Sequence, residues 1–331
     1  MSVALPKVFL IGTLLVFASI GAVALLKKER SEPSLEERVA RVEEVPLPQA
    51  PQPLKPAEIP MAQPVLEVKS VDETLPEADR IGRLFALDSS KLPIVETVSY
   101  TSRVPWMKGR PAWIADYATF YSTSRHFIAR SLNRKADYFT QKVSPGDRFN
   151  VFKKDKEVQF HLLIDLSRCK LWFYYLDLQN NERVLLKTYR VGLGRSDAKM
   201  ASKCLTPRGK YQLGSKIAIY KPGTMGFYQD EKVEMIRIFG TRWIPFEKEI
   251  EGCSESARGL GIHGAPWTQD PVTGQYNEER SKIGKYDSDG CIRLASEDME
   301  ELFSIIITKP TTVELVEDFH DAKLPGQEKT L

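Results

Sequence analysis

Two apolar runs, His161-Leu162-Leu163-Ile164-Asp165-Leu166 and Lys170-Leu171-Trp172-Phe173-Tyr174-Tyr175, are split by the polar pair Ser167-Arg168. Branched and aromatic residues at this density suit a pleated, buried surface, and the short polar break between them predicts a hairpin. Further strands are expected over 184–191, 209–219, 235–239 and 259–263, with a last one over 312–316. Near the end, Met299, Leu302, Phe303 and Ile306 fall at helical spacing behind Ser296, which is placed to cap them, and Lys309-Pro310 stops the helix. The expected fold class is therefore mostly β (α+β), with a C-terminal helix.

The region before the hairpin has a different texture. Residues 8–26 carry no charge, with Lys7 before them and Lys27, Lys28 and Arg30 after, a length that suits a membrane-spanning helix. Ala22-Val23-Ala24 keeps a cleaved signal sequence open, although the apolar stretch is longer than such sequences carry. Charge counting by itself favours a cytoplasmic body. The chemistry inferred below requires the outside of the membrane, and that placement is adopted. Residues 1–30 are thus expected to be an anchor or signal sequence, with the body in the cell envelope outside the cytoplasmic membrane. Residues 31–99 are assigned to a linker, because Pro46, Pro48, Pro51, Pro53, Pro56, Pro60 and Pro64 crowd its first part and favour extended backbone. The net charge of +3 on 331 residues, without basic-aromatic interleaving, gives no support to nucleic-acid binding.

Between linker and hairpin, Ile114, Ala115, Ala118 and Tyr121 are spaced as a helix, and Ile128 and Leu132 repeat the step before Asn133. Pro145-Gly146-Asp147 then marks a turn into a strand. The order Ile114-Ala115, Asn133, Pro145-Gly146-Asp147 resembles the LysM module, a small two-helix glycan binder, which residues 100–153 are expected to form. A generic α+β spacer is the alternative.

The chemistry concentrates in Ser288-Asp289-Gly290-Cys291-Ile292-Arg293, with Ile262-His263-Gly264 lying 28 positions upstream. A cysteine attacks as thiolate, so it needs a base and a cationic neighbourhood, which His263 and Arg293 can supply. Gly290 permits positive φ or close backbone approach just before the nucleophile. From spacing alone, a buried structural cysteine beside an ordinary turn stays equally open.

The order of hairpin, Val191-Gly192-Leu193-Gly194, Thr206-Pro207-Arg208-Gly209, Ile262-His263-Gly264 and Ser288-Asp289-Gly290-Cys291-Ile292-Arg293-Leu294 looks like an L,D-transpeptidase catalytic domain of the YkuD type, over residues 159–317. Residues 318–331 are left as a tail. The resemblance implies a β-rich fold in which Cys291 attacks a carbonyl of a peptidoglycan tetrapeptide, D-alanine leaves, and an amine resolves the thioester into a cross-link. It also implies His263 as the base, the Gly264 carbonyl as the group orienting its ring, and the N–H groups of Gly290 and Cys291 as the oxyanion hole. Arg293 is expected to grip a substrate carboxylate or lower the thiol pKa, with a structural ion pair as the alternative. Ser288 is expected to bond within its turn or toward the imidazole.

Two departures from the family pattern stand out. Asp289 occupies a position where the family often has a second histidine, and could pair with Arg293 or His263. Residues 265–287 are longer than the family's usual gap and are expected to form a lid in which Trp267 and Tyr276 could cover a substrate, with a plain insertion as the alternative. Cys169, Cys204 and Cys253 show no zinc spacing, so neither metal nor cofactor is expected, and Cys169 with Cys204 could pair in an oxidising compartment. The expected partners are stem peptides, glycan strands and, through the N-terminal helix, a membrane. The competing functions are an L,D-carboxypeptidase or other peptidoglycan amidohydrolase, and a non-enzymatic wall-binding anchor.

Overall fold

The computed structural model describes residues 66–70, 74–133 and 142–330. The uncharged segment at 8–26, expected to anchor the chain in a membrane, and most of the proline-rich run lie outside these residues. Among the described residues, no helix is long and apolar enough to cross a membrane.

The described chain begins with a helical turn, α1 (Gly82–Phe85), and a strand, β1 (Val95–Ser99). Helices α2 (Ile114–Phe120) and α3 (Arg125–Asn133) follow, and then β2 (Arg148–Phe152), which pairs antiparallel with β1. The two helices and the turn before β2 lie where the sequence places them, and β1 completes a strand-helix-helix-strand unit. Tyr100, Tyr117, Ala118, Ile128, Phe149 and Val151 form its small core. The other side of the unit packs on the main body: Phe127 meets Phe152 at 4.7 Å between ring centroids, and Phe152 meets Phe160 at 5.9 Å.

Residues 74–99, assigned from the sequence to the linker, are built into this core instead. Leu84, Leu92, Ile94 and Val95 are fully buried in the main cluster. Asn150 holds the segment in place, its amide donating to the carbonyls of Leu84 and Ala86 at 2.9 and 2.7 Å. The prolines that suggest a linker end at Pro64, and the apolar residues beyond them decide the packing.

The predicted hairpin forms: β3 (Val158–Asp165) pairs antiparallel with β4 (Lys170–Asp177), which pairs with β5 (Glu182–Arg190). Leu171, Phe173 and Tyr175 of β4 face the main cluster, while Trp172 and Tyr174 face a second cluster with Leu75, Leu163 and Leu185. Burial on both faces explains why β4 is an unbroken apolar run rather than an alternating one. The second face is covered partly by the expected tail, since Phe319 packs on Trp172 with centroids 4.7 Å apart.

Short strands β6 (Leu193–Gly194), β7 (Gly209–Leu213), β8 (Ala218–Ile219), β9 (Met225–Tyr228) and β10 (Glu231–Glu234) lead to a helical turn, α4 (Ile236–Phe239). A strand was expected at 235–239. Ile236 and Phe239, three apart, are both buried while Arg237 is exposed, which is a helical pattern, and Gly240 at φ +61° ends the turn. Then come β11 (Arg242–Glu251), β12 (Gly261–Gly264), the hairpin β13 (Trp267–Gln269) and β14 (Tyr276–Glu278), β15 (Tyr286–Ser288) and β16 (Ile292–Leu294). Helix α5 (Ser296–Ile306), β17 (Thr311–Val316) and β18 (Gln327–Glu328) close the chain.

The main sheet runs β16-β12-β11-β7-β17-β3-β4-β5-β18, with β8 against β11. β18 belongs to residues read as a tail, and pairs parallel with β5. Helix α5 forms where the periodicity places it, with Met299, Leu302, Phe303 and Ile306 buried. Its cap is Ala295 rather than Ser296, whose hydroxyl instead accepts from Trp267 Nε1 at 3.0 Å.

Candidate active site

At one edge of the sheet β12 and β16 run parallel, with Ile262 opposite Ile292, His263 opposite Arg293 and Gly264 opposite Leu294. Cys291 stands one residue before this ladder. Side chains alternate along strands, so Cys291 and Arg293, two apart, share the face on which His263 lies. The parallel pairing thus brings together a thiol and an imidazole that are 28 positions apart in the chain.

The loops behind the nucleophile are tied by the other glycine and threonine motifs. Thr206 Oγ1 accepts from Gly194 N–H at 2.7 Å and donates to the Gly290 carbonyl at 3.0 Å, joining three motifs through one hydroxyl. A Cβ on Gly194 would sit 2.5 Å from Thr206 N, so only glycine permits this approach. Gly290 has φ +115°, and a Cβ there would lie 2.9 Å from the Leu205 carbonyl oxygen.

His263 is buried, and its Nδ1 lies 2.7 Å from the Gly264 carbonyl. A carbonyl can only accept, so this bond keeps the proton on Nδ1 and leaves Nε2 as the basic nitrogen. Burial, followed by the nearby Arg293 guanidinium, pushes the imidazole pKa down to about 3. Cys291 is partly exposed at its surface, yet burial of its thiol drives the pKa up to about 12 against the opposing pull of the Gly261 amide and Arg293. The free site therefore holds a neutral imidazole and a protonated thiol rather than an ion pair.

Ser288 is buried and bonds within its own turn, donating to the Cys291 carbonyl at 2.6 Å and accepting from Gly290 N–H at 3.1 Å. That second bond occupies the Gly290 N–H which the family resemblance assigns to the oxyanion hole. Cys291 Sγ itself lies 3.7 Å from the Gly259 carbonyl.

The charged residues are partnered differently from expectation. Asp289 pairs with Arg195, and accepts from the Tyr228 hydroxyl at 3.4 Å, rather than with Arg293 or His263. Arg293 pairs with Asp287 at 2.8 Å, and Lys282 holds the same carboxylate at 3.0 Å. Arg195 follows the Val-Gly-Leu-Gly motif directly, and Tyr228 lies on β9. Neither was singled out from sequence, and only Arg195 had a signal, its position next to that motif.

Residues 265–287 carry the hairpin β13–β14. Tyr276 donates to the Glu234 carboxylate at 2.7 and 2.8 Å, linking this hairpin to β9–β10. Trp267 is tied to the start of α5 through Ser296, so it braces the hairpin. A cavity of about 210 Å³ beside Trp267 is lined by His126, Tyr220, Thr241 and Arg242, and its lining includes neither Cys291 nor His263. Among the described residues all four cysteines are free, and no group of acidic, histidine or cysteine side chains is arranged for a metal.

Residues 159–315 match the YkuD family model, the L,D-transpeptidase catalytic domain. The chain is also similar to the structure of Bdellovibrio bacteriovorus Bd1075, at 16% identity and a TM-score of 0.31 over 48% of each chain. A second similar structure is the helical cell shape determining protein Pgp2 from Campylobacter jejuni, at 17% identity and a TM-score of 0.32, covering 52% of this chain and 51% of that one. The chain thus spans about half the length of these solved proteins. No curated protein matches it.

Proposed function

We propose that the YkuD domain is a peptidoglycan L,D-transpeptidase acting through Cys291. The observation that carries this reading is the β12–β16 ladder, which sets His263 opposite Arg293 and so puts Cys291, two residues before Arg293, on the face of the imidazole whose Nδ1 is committed to Gly264. Because both groups are neutral at rest, proton transfer accompanies attack. Cys291 Sγ bonds to the carbonyl carbon of the third stem residue while His263 Nε2 takes the thiol proton. The Cys291 N–H faces the developing oxyanion. The C–N bond then breaks, and His263 returns its proton to the departing amine of D-alanine. The amine of a second stem attacks the thioester, its proton passes to His263 and on to the released sulfur, and a new amide joins the stems. Water in place of that amine yields a tripeptide instead.

In the same proposal residues 100–153 act as a LysM-like glycan module and residues 1–30 anchor the protein with its catalytic domain outside the cytoplasmic membrane. The strand-helix-helix-strand order of β1, α2, α3 and β2 supports the first of these assignments.

Incubation with a defined tetrapeptide muropeptide tests the reaction by mass spectrometry. The expected products are free D-alanine and a cross-linked dimer, both abolished by Cys291→Ala with the unfolding temperature unchanged. D-alanine release with tripeptide alone would replace transfer by hydrolysis. Activity retained in Cys291→Ala, or no release by the intact protein, would end the assignment.

A further inference from the structure

Two arginines flank the nucleophile, and their surroundings assign them different work. Arg293 is largely buried, with a side-chain exposure of 15%, and its partner Asp287 is held by Lys282 as well. Freeing that guanidinium for a ligand would leave a buried charge to be compensated, which is costly. Arg195 is the opposite case. Its side chain is 62% exposed and its single ion-pair partner among the described residues, Asp289, is 50% exposed. Exposed pairs of this kind contribute little, so an incoming anion can replace Asp289 with little loss.

The backbone of Arg195 is fixed even though its side chain is free to move. Its N–H donates to the Ser288 carbonyl at 2.9 Å, and its own carbonyl accepts from Leu205 N–H at 3.0 Å. The guanidinium is therefore mounted on the turn that carries Cys291. Asp289, which it holds, lies two residues before the nucleophile, within about 7 Å along the backbone. The carboxylate of a residue immediately beyond the scissile carbonyl is separated from that carbonyl carbon by only an N, a Cα and a C, roughly 4 Å. With the scissile carbonyl at Cys291 Sγ, a terminal carboxylate comes into the neighbourhood now filled by the Asp289 carboxylate. Tyr228 remains as a partner for Asp289 once Arg195 has been taken from it.

We propose that Arg195 recognises the free C-terminal carboxylate of the donor peptide, with Asp289 as the placeholder that this carboxylate displaces. The specificity that follows is for peptides ending one residue after the scissile bond. A guanidinium meeting a carboxylate makes paired, charge-assisted hydrogen bonds, whereas a terminal amide offers no negative charge. The proposal rests on the stem-peptide donor of the preceding section.

The test compares a tetrapeptide muropeptide with the same peptide carrying a C-terminal amide, in the full-length protein and in Arg195→Gln, following release of D-alanine or its amide. The intact protein is expected to favour the free acid in kcat/KM on the order of tenfold to a hundredfold, the preference residing in KM. Arg195→Gln brings the ratio close to one, and Arg195→Lys restores part of it. A second readout is calorimetric binding of both peptides to Cys291→Ala, with and without Arg195→Gln, in which the same preference appears and is lost without turnover. Turnover by the intact protein with a ratio that Arg195→Gln leaves untouched would overturn the role of Arg195 alone. Absence of release from either peptide by the intact protein would overturn the donor assignment and this inference with it.

Discussion

At Cys291 the Arg293 guanidinium draws the thiol pKa down and burial draws it up, and the net position near 12 means that burial prevails. His263, held near 3 by burial and then by Arg293, carries no charge at neutral pH either. A thiol raised in this way is stored as SH below about pH 12, so its thiolate fraction grows roughly tenfold per pH unit across the ordinary range. Alkylation by iodoacetamide, followed by mass spectrometry of the Cys291 peptide, is therefore expected to accelerate continuously from pH 6 to pH 10. A rate plateau between pH 6 and 8 would indicate a preformed thiolate-imidazolium pair and contradict this. Arg293→Gln removes a group that lowers the thiol pKa and should slow alkylation at every pH. The sequence singles out Cys291, His263 and Arg293, and in the structure the Arg293 guanidinium acts on both of the others. The sequence is silent on the winner between charge and burial, since burial arises from Leu260, Phe239 and other residues far along the chain.

At the scale of elements, the two hairpins beside the site depend on a few side-chain ties. Tyr276 joins β14 to Glu234 at the end of β10, Tyr228 joins β9 to Asp289, and Trp267 with Glu278 ties the β13–β14 hairpin to the first turn of α5. These strands are short and bury little apolar surface, so hydrogen bonds carry an unusual share of their stability. Tyr276→Phe deletes the tie between the hairpins while keeping the ring. The expected result is faster amide exchange over 225–234 and 267–278, with a small loss of global stability. Unchanged exchange in both hairpins would show that backbone pairing alone sets their order. The loop character of 265–287 was legible in sequence from its turn residues, but the contact made by Trp267 was not. Its indole is spent on Ser296, a contact between residues 29 positions apart that no local pattern encodes.

Across the whole molecule, the segment that matches the YkuD model and the segments before it share one core. Leu84, Leu92, Ile94 and Val95 pack in the same cluster as Phe160, Leu162 and Phe173. Burying a side chain of this size contributes about 1.5–3 kcal/mol, so the four together are comparable with the net stability of about 5–15 kcal/mol typical of a domain. A chain starting at Tyr100 also lacks β1, which leaves β2 without its partner. Such a chain should show no cooperative thermal transition, whereas one starting at residue 74 should unfold as the full protein does. A cooperative transition at the full-length temperature in the shorter chain would refute a shared core.

What the sequence determined by itself was local or carried by a motif: the β3–β4 hairpin, the α5 stripe, the helices α2 and α3, and the two motifs that β12 and β16 carry. Hydrophobic periodicity and glycine placement act over a few residues, so they survive in any context that buries the right face. Tertiary structure decided the rest. It folded 74–99 and 318–328 into the body, turned 235–239 into a helix, committed the Gly290 N–H to Ser288 and gave Asp289 to Arg195 rather than to Arg293. Each of those outcomes is a choice of partner across a large sequence separation, set by which surfaces and charges the completed sheet brings within a few ångströms.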